Sequence, residues 1–243
     1  MDRLIYTALT GMRSRQAAQA VTANNLANAG TTGFRREMSS LASRYLSGSG
    51  ETTRVESDDA VTTASLDPGR VVETGQPLDV AVRGQGWIAV QAADGGEAYT
   101  RRGDLRVAAS GMLETGDGHP VIGNAGAITL PAGSEPIIGT DGTVAVRLPG
   151  ATAATTIDRI KLVDPAAAVL RKDATGLFRT TGAVPPAPDV RLQAGALESA
   201  NVETARGLVE LVEQSRGFEV NAKLLGTARD LDESGARLMR LDN

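Results

Sequence analysis

The chain offers few side chains able to do covalent chemistry. His119 is the only histidine, set in the turn-like stretch GDGHPVI, and cysteine is absent. A metal site would have to be built from carboxylates alone. Asp104 and Asp117 read instead as turn and cap residues. Ser110 and Ser134 lack the strand–turn–helix setting of a nucleophile elbow, so no Ser–His–Asp set is predicted. Gly84-Gln85-Gly86-Trp87-Ile88-Ala89 fits G-x-G-x-x-A, but β-branched and aromatic residues follow where a dinucleotide site needs a helix. The spacing predicts a tight turn between two strands. Arg101, Arg102 and Arg106 read as a small basic face or as a solvated strand face. A net charge of −4 and a pI near 5.2 argue against nucleic acid as a partner. The expectation is no catalytic residue, no cofactor and no metal.

The chemistry that does stand out is recognition by amides. Residues 23–37, ANNLANAGTTGFRRE, carry Asn24, Asn25 and Asn28 with Gly30 and Gly33. Amide side chains both donate and accept, and they tolerate unusual backbone angles. Placed at a helix end, they can cap carbonyls of their own helix or of a neighbouring chain, while the glycines let the backbone turn closely.

A long helix must present this stretch. Residues 3–28 read as helical, with Asp2 as N-cap, and Asn28 and Gly30 as stop signals. Ile5, Leu9, Met12, Ala23 and Leu26 recur at steps of three and four, around a polar centre of Gln16 and Gln19: a coiled-coil-like seam. The segment 38–70 is rich in Ser, Thr, Gly and Asp and reads as a linker with some extended structure. From 71 to about 185, short apolar runs alternate with turn pairs. Asp94-Gly95, Asp117-Gly118 and Asp141-Gly142 are hairpin signals, so an antiparallel β domain is predicted. Aromatics are only 3% of the chain, which argues against one dense core. The three prolines of GAVPPAPDV suggest a stiff connector, assigned to 186–200. Asn201 is the expected cap of a second helix over 201–243, with Glu203 in its first turn. Leu208, Leu211, Ser215, Phe218, Ala222 and Leu225 form one apolar stripe, and Val202, Val209, Val212, Val220 and Leu224 lie mostly off it. A helix apolar on two faces wants neighbours on both. Gly207, Gly217, Gly226 and Gly235 each cost about 1 kcal/mol relative to Ala, so this helix should be firm only when packed. The fold class is therefore α+β: 1–37 helix and loop, 38–70 linker, 71–185 β domain, 186–200 connector, 201–243 helix. No run approaches the ~18 apolar residues of a membrane span. The opening residues, broken by Thr7, Thr10 and Gly11, do not read as a cleaved secretory signal.

Four stretches resemble the bacterial flagellar rod and hook protein family: ANNLANAGTTGFRRE (23–37), TGQPLDVAVRGQGWIAVQ (74–91), YTRRGDLRVAASGMLETGDGHPVIG (99–123) and GALESANVETARGLVELVEQSRGFEVNAKLL (195–225). They occur in the family's order and span most of the chain. The opening MDRLIYTALTGM, the modest length and the short segment before residue 74 are most similar to the proximal-rod branch, with the distal rod as the alternative. Trp87-Ile88 stands where the family often has two Phe, and the last helix has extra Gly.

The resemblance implies a non-enzymatic axial subunit of the basal body, exported through the flagellar type III apparatus without a cleaved signal. Such subunits assemble with copies of themselves and other rod proteins into a tube that crosses the periplasm and transmits torque to the hook. Terminal helices would form the inner tube and β domains the outside. Expected interface residues are Ile5, Leu9, Met12, Asn24, Asn25, Leu26, Asn28, Gly33, Phe34, Arg35, Leu208, Leu211, Phe218, Asn221 and Leu225. Arg35, Arg36 and Glu37 are expected to form charge pairs between subunits. Competing readings are an enzyme built on the β domain and a non-flagellar binding module with a helical stalk.

Overall fold

The structure, a computed structural model, describes residues 2–40, 43–45, 55–57, 61–165 and 170–241. It is α+β and divides into two compact units. The first unit takes residues 1–27, 37–63 and 203–243, and the second takes 28–36 and 64–202.

In the first unit, α1 (Asp2–Ala27) follows the predicted periodic run almost residue for residue. The segment expected to be a linker with some extended structure holds paired strands: β1 (Glu37–Ser40) lies beside β4 (Val61–Ala64), and β2 (Ser43–Tyr45) pairs antiparallel with β3 (Val55–Ser57). Ser and Thr carry these strands with little apolar content, which is why composition suggested a linker. Asn25 anchors β1 to the end of α1. Its Oδ1 accepts from the Glu37 N–H (2.7 Å) and its Nδ2 donates to the Glu37 carbonyl (2.8 Å). The second helix, α2 (Thr204–Leu241), starts later than predicted. Its first described bond runs from the Gly207 N–H to the Glu203 carbonyl, so Glu203 rather than Asn201 sits at the cap. The two helices lie against each other, and Gln214 Nε2 donates to Thr22 Oγ1 across the pair (3.0 Å). A Cβ at Gly217 would lie 2.0 Å from an Arg15 guanidinium nitrogen, the far end of a flexible side chain that can shift aside.

The second unit holds β5 (Val71–Glu73), β6 (Val80–Arg83), β7 (Trp87–Gln91), β8 (Glu97–Thr100), β9 (Leu105–Val107), β10 (Leu113–Thr115), β11 (Glu135–Ile138), β12 (Thr143–Arg147), β13 (Thr155–Arg159), β14 (Leu162–Val163), β15 (Arg171–Lys172), β16 (Phe178–Arg179), β17 (Arg191–Ala194) and β18 (Ala196–Glu198). Its described pairings are antiparallel. A five-stranded sheet runs β14-β7-β8-β16-β15, and β11-β12-β13 form a three-stranded one. The three Asp-Gly pairs lie in turns with their glycines at φ 80°, 88° and 88°, as hairpin chemistry requires. The expected connector is partly strand: β17 pairs with β6 and β18 with β5, so residues 191–198 complete the β unit.

β7 is buried on both faces, and its alternation separates two apolar clusters. Ile88 and Val90 enter the larger one with Val80, Leu113, Val121, Val144 and Leu192. Trp87 and Ala89 enter the smaller one with Tyr99, Val163 and Phe178, where the Trp87 and Phe178 ring centroids lie 4.5 Å apart.

Candidate functional site

The amide-rich stretch ends in a loop that is seated on the β unit. At Asn28 the carbonyl accepts from the Thr31 N–H (3.0 Å) and the side chain from the Thr31 hydroxyl, closing the end of the helix. Gly33 then takes φ 67° and donates its N–H to the Glu198 carbonyl (2.7 Å). A Cβ there would lie 2.4 Å from the Arg101 carbonyl group, so only glycine permits this approach. The Phe34 ring carries the Lys172 ammonium 3.9 Å from its centroid, and Lys172 also donates to the Arg35 carbonyl.

Arg35 is wholly buried. Its Nη2 lies 2.7 Å from Glu198 Oε1, an ion pair without hydrogen-bond alignment, since Nε, Nη1 and Nη2 all lack hydrogen-bond partners. Arg101, 2% exposed, donates from Nη1 to Glu198 Oε2 (3.0 Å) and the Val82 carbonyl, and from Nη2 to the Gly84 carbonyl. Both guanidiniums flank Trp87, at 5.7 Å and 5.4 Å from its ring centroid. Burial pulls the Arg101 pKa below its ordinary value; Glu198 opposes this, and the adjacent Arg35 charge reinforces it. Glu198 Oε1 also accepts the Gly69 N–H (2.7 Å).

A second knot lies at Asn201. Its Oδ1 accepts from the Arg36 N–H (2.6 Å), its Nδ2 donates to the Asp67 carbonyl (2.8 Å), and its N–H donates to the Phe34 carbonyl (3.3 Å). Backbone bonds from Ser65 to Arg36 and from Ser199 to Arg70 close the same region. The loop 28–36, the segment 65–70 and the segment 198–201 are thereby tied into one piece of the β unit.

Arg35, expected to pair between subunits, is wholly buried and lies against Glu198 of the same chain. The basic face of Arg101, Arg102 and Arg106 dissolves into internal pairs, with Glu198, Asp104 and Glu114 respectively. The turn reading of Gly84–Gly86 holds, since strand rather than helix follows. His119 Nε2 lies 4.0 Å from Asp117, and no group of three or more metal-binding side chains occurs among the described residues.

Other expected interface residues divide. Leu9, Leu208 and Phe218 are exposed at 38%, 49% and 37%. Met12, Leu26, Leu211 and Asn221 are half-buried, Asn24 is exposed, and Asn25 is buried in its clamp on Glu37. The side chains of Ile5 and Leu225 lie outside the described residues. α2 also exposes Val209, Val212, Val220 and Leu224, each by more than half. Reasoning from sequence missed Glu198 and the role of Arg101. For Arg101 a signal existed: two residues past Tyr99, strand alternation sets it on the Trp87 face.

Three family models match. "Flagella basal body rod protein" covers residues 5–35, "Flagellar hook protein FlgE/F/G D1 domain" covers 81–146, and "Flagellar basal body rod FlgEFG protein C-terminal" covers 193–238. The chain is 39% identical to the flagellar basal-body rod protein FlgF of Salmonella typhimurium, over 99% of this chain and 98% of that one. It is 39% identical to FlgF of Escherichia coli over 95% of each chain. FlgG of Agrobacterium fabrum is 31% identical over 94% of this chain and 96% of its own.

Proposed function

The chain belongs to the flagellar basal-body rod protein family, and on that premise we propose how it serves as a structural subunit of the rod. Its terminal helices pair in a coiled-coil-like way and build the inner wall of a helical tube with copies of this chain and other rod proteins. The β unit forms the outer layer. The tube crosses the periplasm as a drive shaft that carries torque to the hook, and the subunit reaches it through the flagellar type III export apparatus. Neither catalysis nor nucleic acid has a part in this role. The 39% identity to FlgF of Salmonella typhimurium and Escherichia coli, against 31% to FlgG of Agrobacterium fabrum, supports a proximal-rod position. No helix among the described residues is long and apolar enough to cross a membrane.

The observation that carries this reading is the apolar surface of α2. Leu208, Val209, Val212, Val220 and Leu224 are all about half exposed or more on one 38-residue helix. An exposed apolar band of this extent marks an interaction surface. Val212→Glu and Leu224→Glu are expected to leave the folding of the purified protein intact, read by circular dichroism, and to abolish rod assembly and swimming. Normal swimming in both variants would refute the assignment of α2 to the tube wall.

A further inference from the structure

The buried charge cluster is assembled from three distant parts of the chain. Arg35 comes on the loop, Arg101 follows β8, and Glu198 ends β18. Glu198 holds the loop twice, by its carboxylate at Arg35 and by its carbonyl at the Gly33 N–H. The same carboxylate faces Arg101 and the Gly69 N–H. Two cations therefore share the Glu198 carboxylate, all at 2% exposure or less, with the Trp87 ring beside both and the Asp164 charge also acting on Arg101.

Each part depends on the others. A buried guanidinium with no counter-charge is costly, so the loop cannot seat Arg35 unless β18 has delivered Glu198. With the loop out, Glu198 loses both Arg35 and the bond to Gly33, which loosens β18 on β5. The ties from Asn201 to Phe34 and Arg36 bind the two segments again just beyond the cluster. We propose that the signature loop 28–36 and strand β18 dock and undock as a single cooperative element, latched by Glu198. The chain passes between its two units at both ends of the loop and again just after Val202. The proposal concerns the subunit alone and stands apart from its place in the rod.

Amide hydrogen exchange in the full-length protein tests it. Three amides report: Gly33, bonded to Glu198; Ser199, bonded to Arg70; and Ala89, bonded to Lys161 in the body of the unit. Arg35→Met cuts the loop side only. It is expected to speed exchange at Gly33 and Ser199 by the same factor, about fivefold, with Ala89 unchanged. Lys172→Met, which removes the cation over Phe34 and its bond to the Arg35 carbonyl but leaves the Arg35, Arg101 and Glu198 side chains in place, is expected to move the same two amides together by a smaller factor. Acceleration at Gly33 with Ser199 unchanged would overturn the latch. Equal acceleration at all three amides in both variants would overturn it as well, since no separate element would then exist.

Discussion

Glu198→Gln and Arg35→Met should destabilise the β unit very unequally, although they cut the same ion pair. The glutamine removes the buried carboxylate that lies against two guanidiniums that are 0% and 2% exposed, leaving both without that close counter-charge, with the exposed Asp164 still acting on Arg101. Removing one partner from a buried pair costs about 3–5 kcal/mol, chiefly through the charge left behind. Arg35→Met takes away one of the two positive charges, fills similar space beside Trp87 and leaves Arg101 and Glu198 paired. Its cost should stay near 1 kcal/mol, the scale of a lost cation–π contact. Trp87 is the only tryptophan and lies in the cluster, so its fluorescence reports unfolding at the relevant place. In urea, at an m-value of about 2 kcal/mol/M, Glu198→Gln should lower the midpoint by about 1.5–2.5 M and Arg35→Met by about 0.5 M. Equal shifts for the two variants would refute the charge accounting, and so would a Glu198→Gln shift below about 0.5 M.

Gly33→Ala should cost about 2–4 kcal/mol in thermal or urea unfolding, since it combines a positive φ with a Cβ driven into the Arg101 backbone. A cost under about 0.5 kcal/mol would show that the loop is not held this closely. Gly217→Ala should go the other way: the atom in its path is the tip of a flexible Arg15 side chain, so thermal unfolding should show the helix gaining about 0.5–1 kcal/mol from propensity. Asp173 lies below the usual carboxylate pKa: burial pushes it up, but bonds from Thr175 and Arg179 outweigh this. A depressed folded pKa gives stability that is complete above the unfolded value of 3.8 and is lost as pH falls through the folded one. Asp173→Asn should accordingly lower stability at pH 6 and flatten the loss as pH falls below 3.8 in a series of urea titrations.

What the sequence disclosed follows from how local each signal is. α1 and the hairpins could be read because their signals lie within a turn or two: apolar steps of three and four, and Asp-Gly at positive φ. β17 and β18 were hidden because their partners are β6 and β5, far back in the chain, while neighbouring prolines suggested a connector. Asn201 carried the chemistry of a helix cap and used it on backbone groups of Arg36 and Asp67 instead. The exposed apolar surface of α2 was legible as surplus apolar residues. The buried cluster was not, because nothing in a one-dimensional pattern distinguishes an arginine headed for solvent from one headed for a tryptophan face.

The chain changes units at 27/28, 36/37, 63/64 and 202/203. Asn201 fastens three of these four passages together on the β side, through Arg36, Ser65 and its own peptide. The β unit is therefore closed at its seams: the points where its backbone enters and leaves are pinned to one another by a single residue rather than left as loose ends.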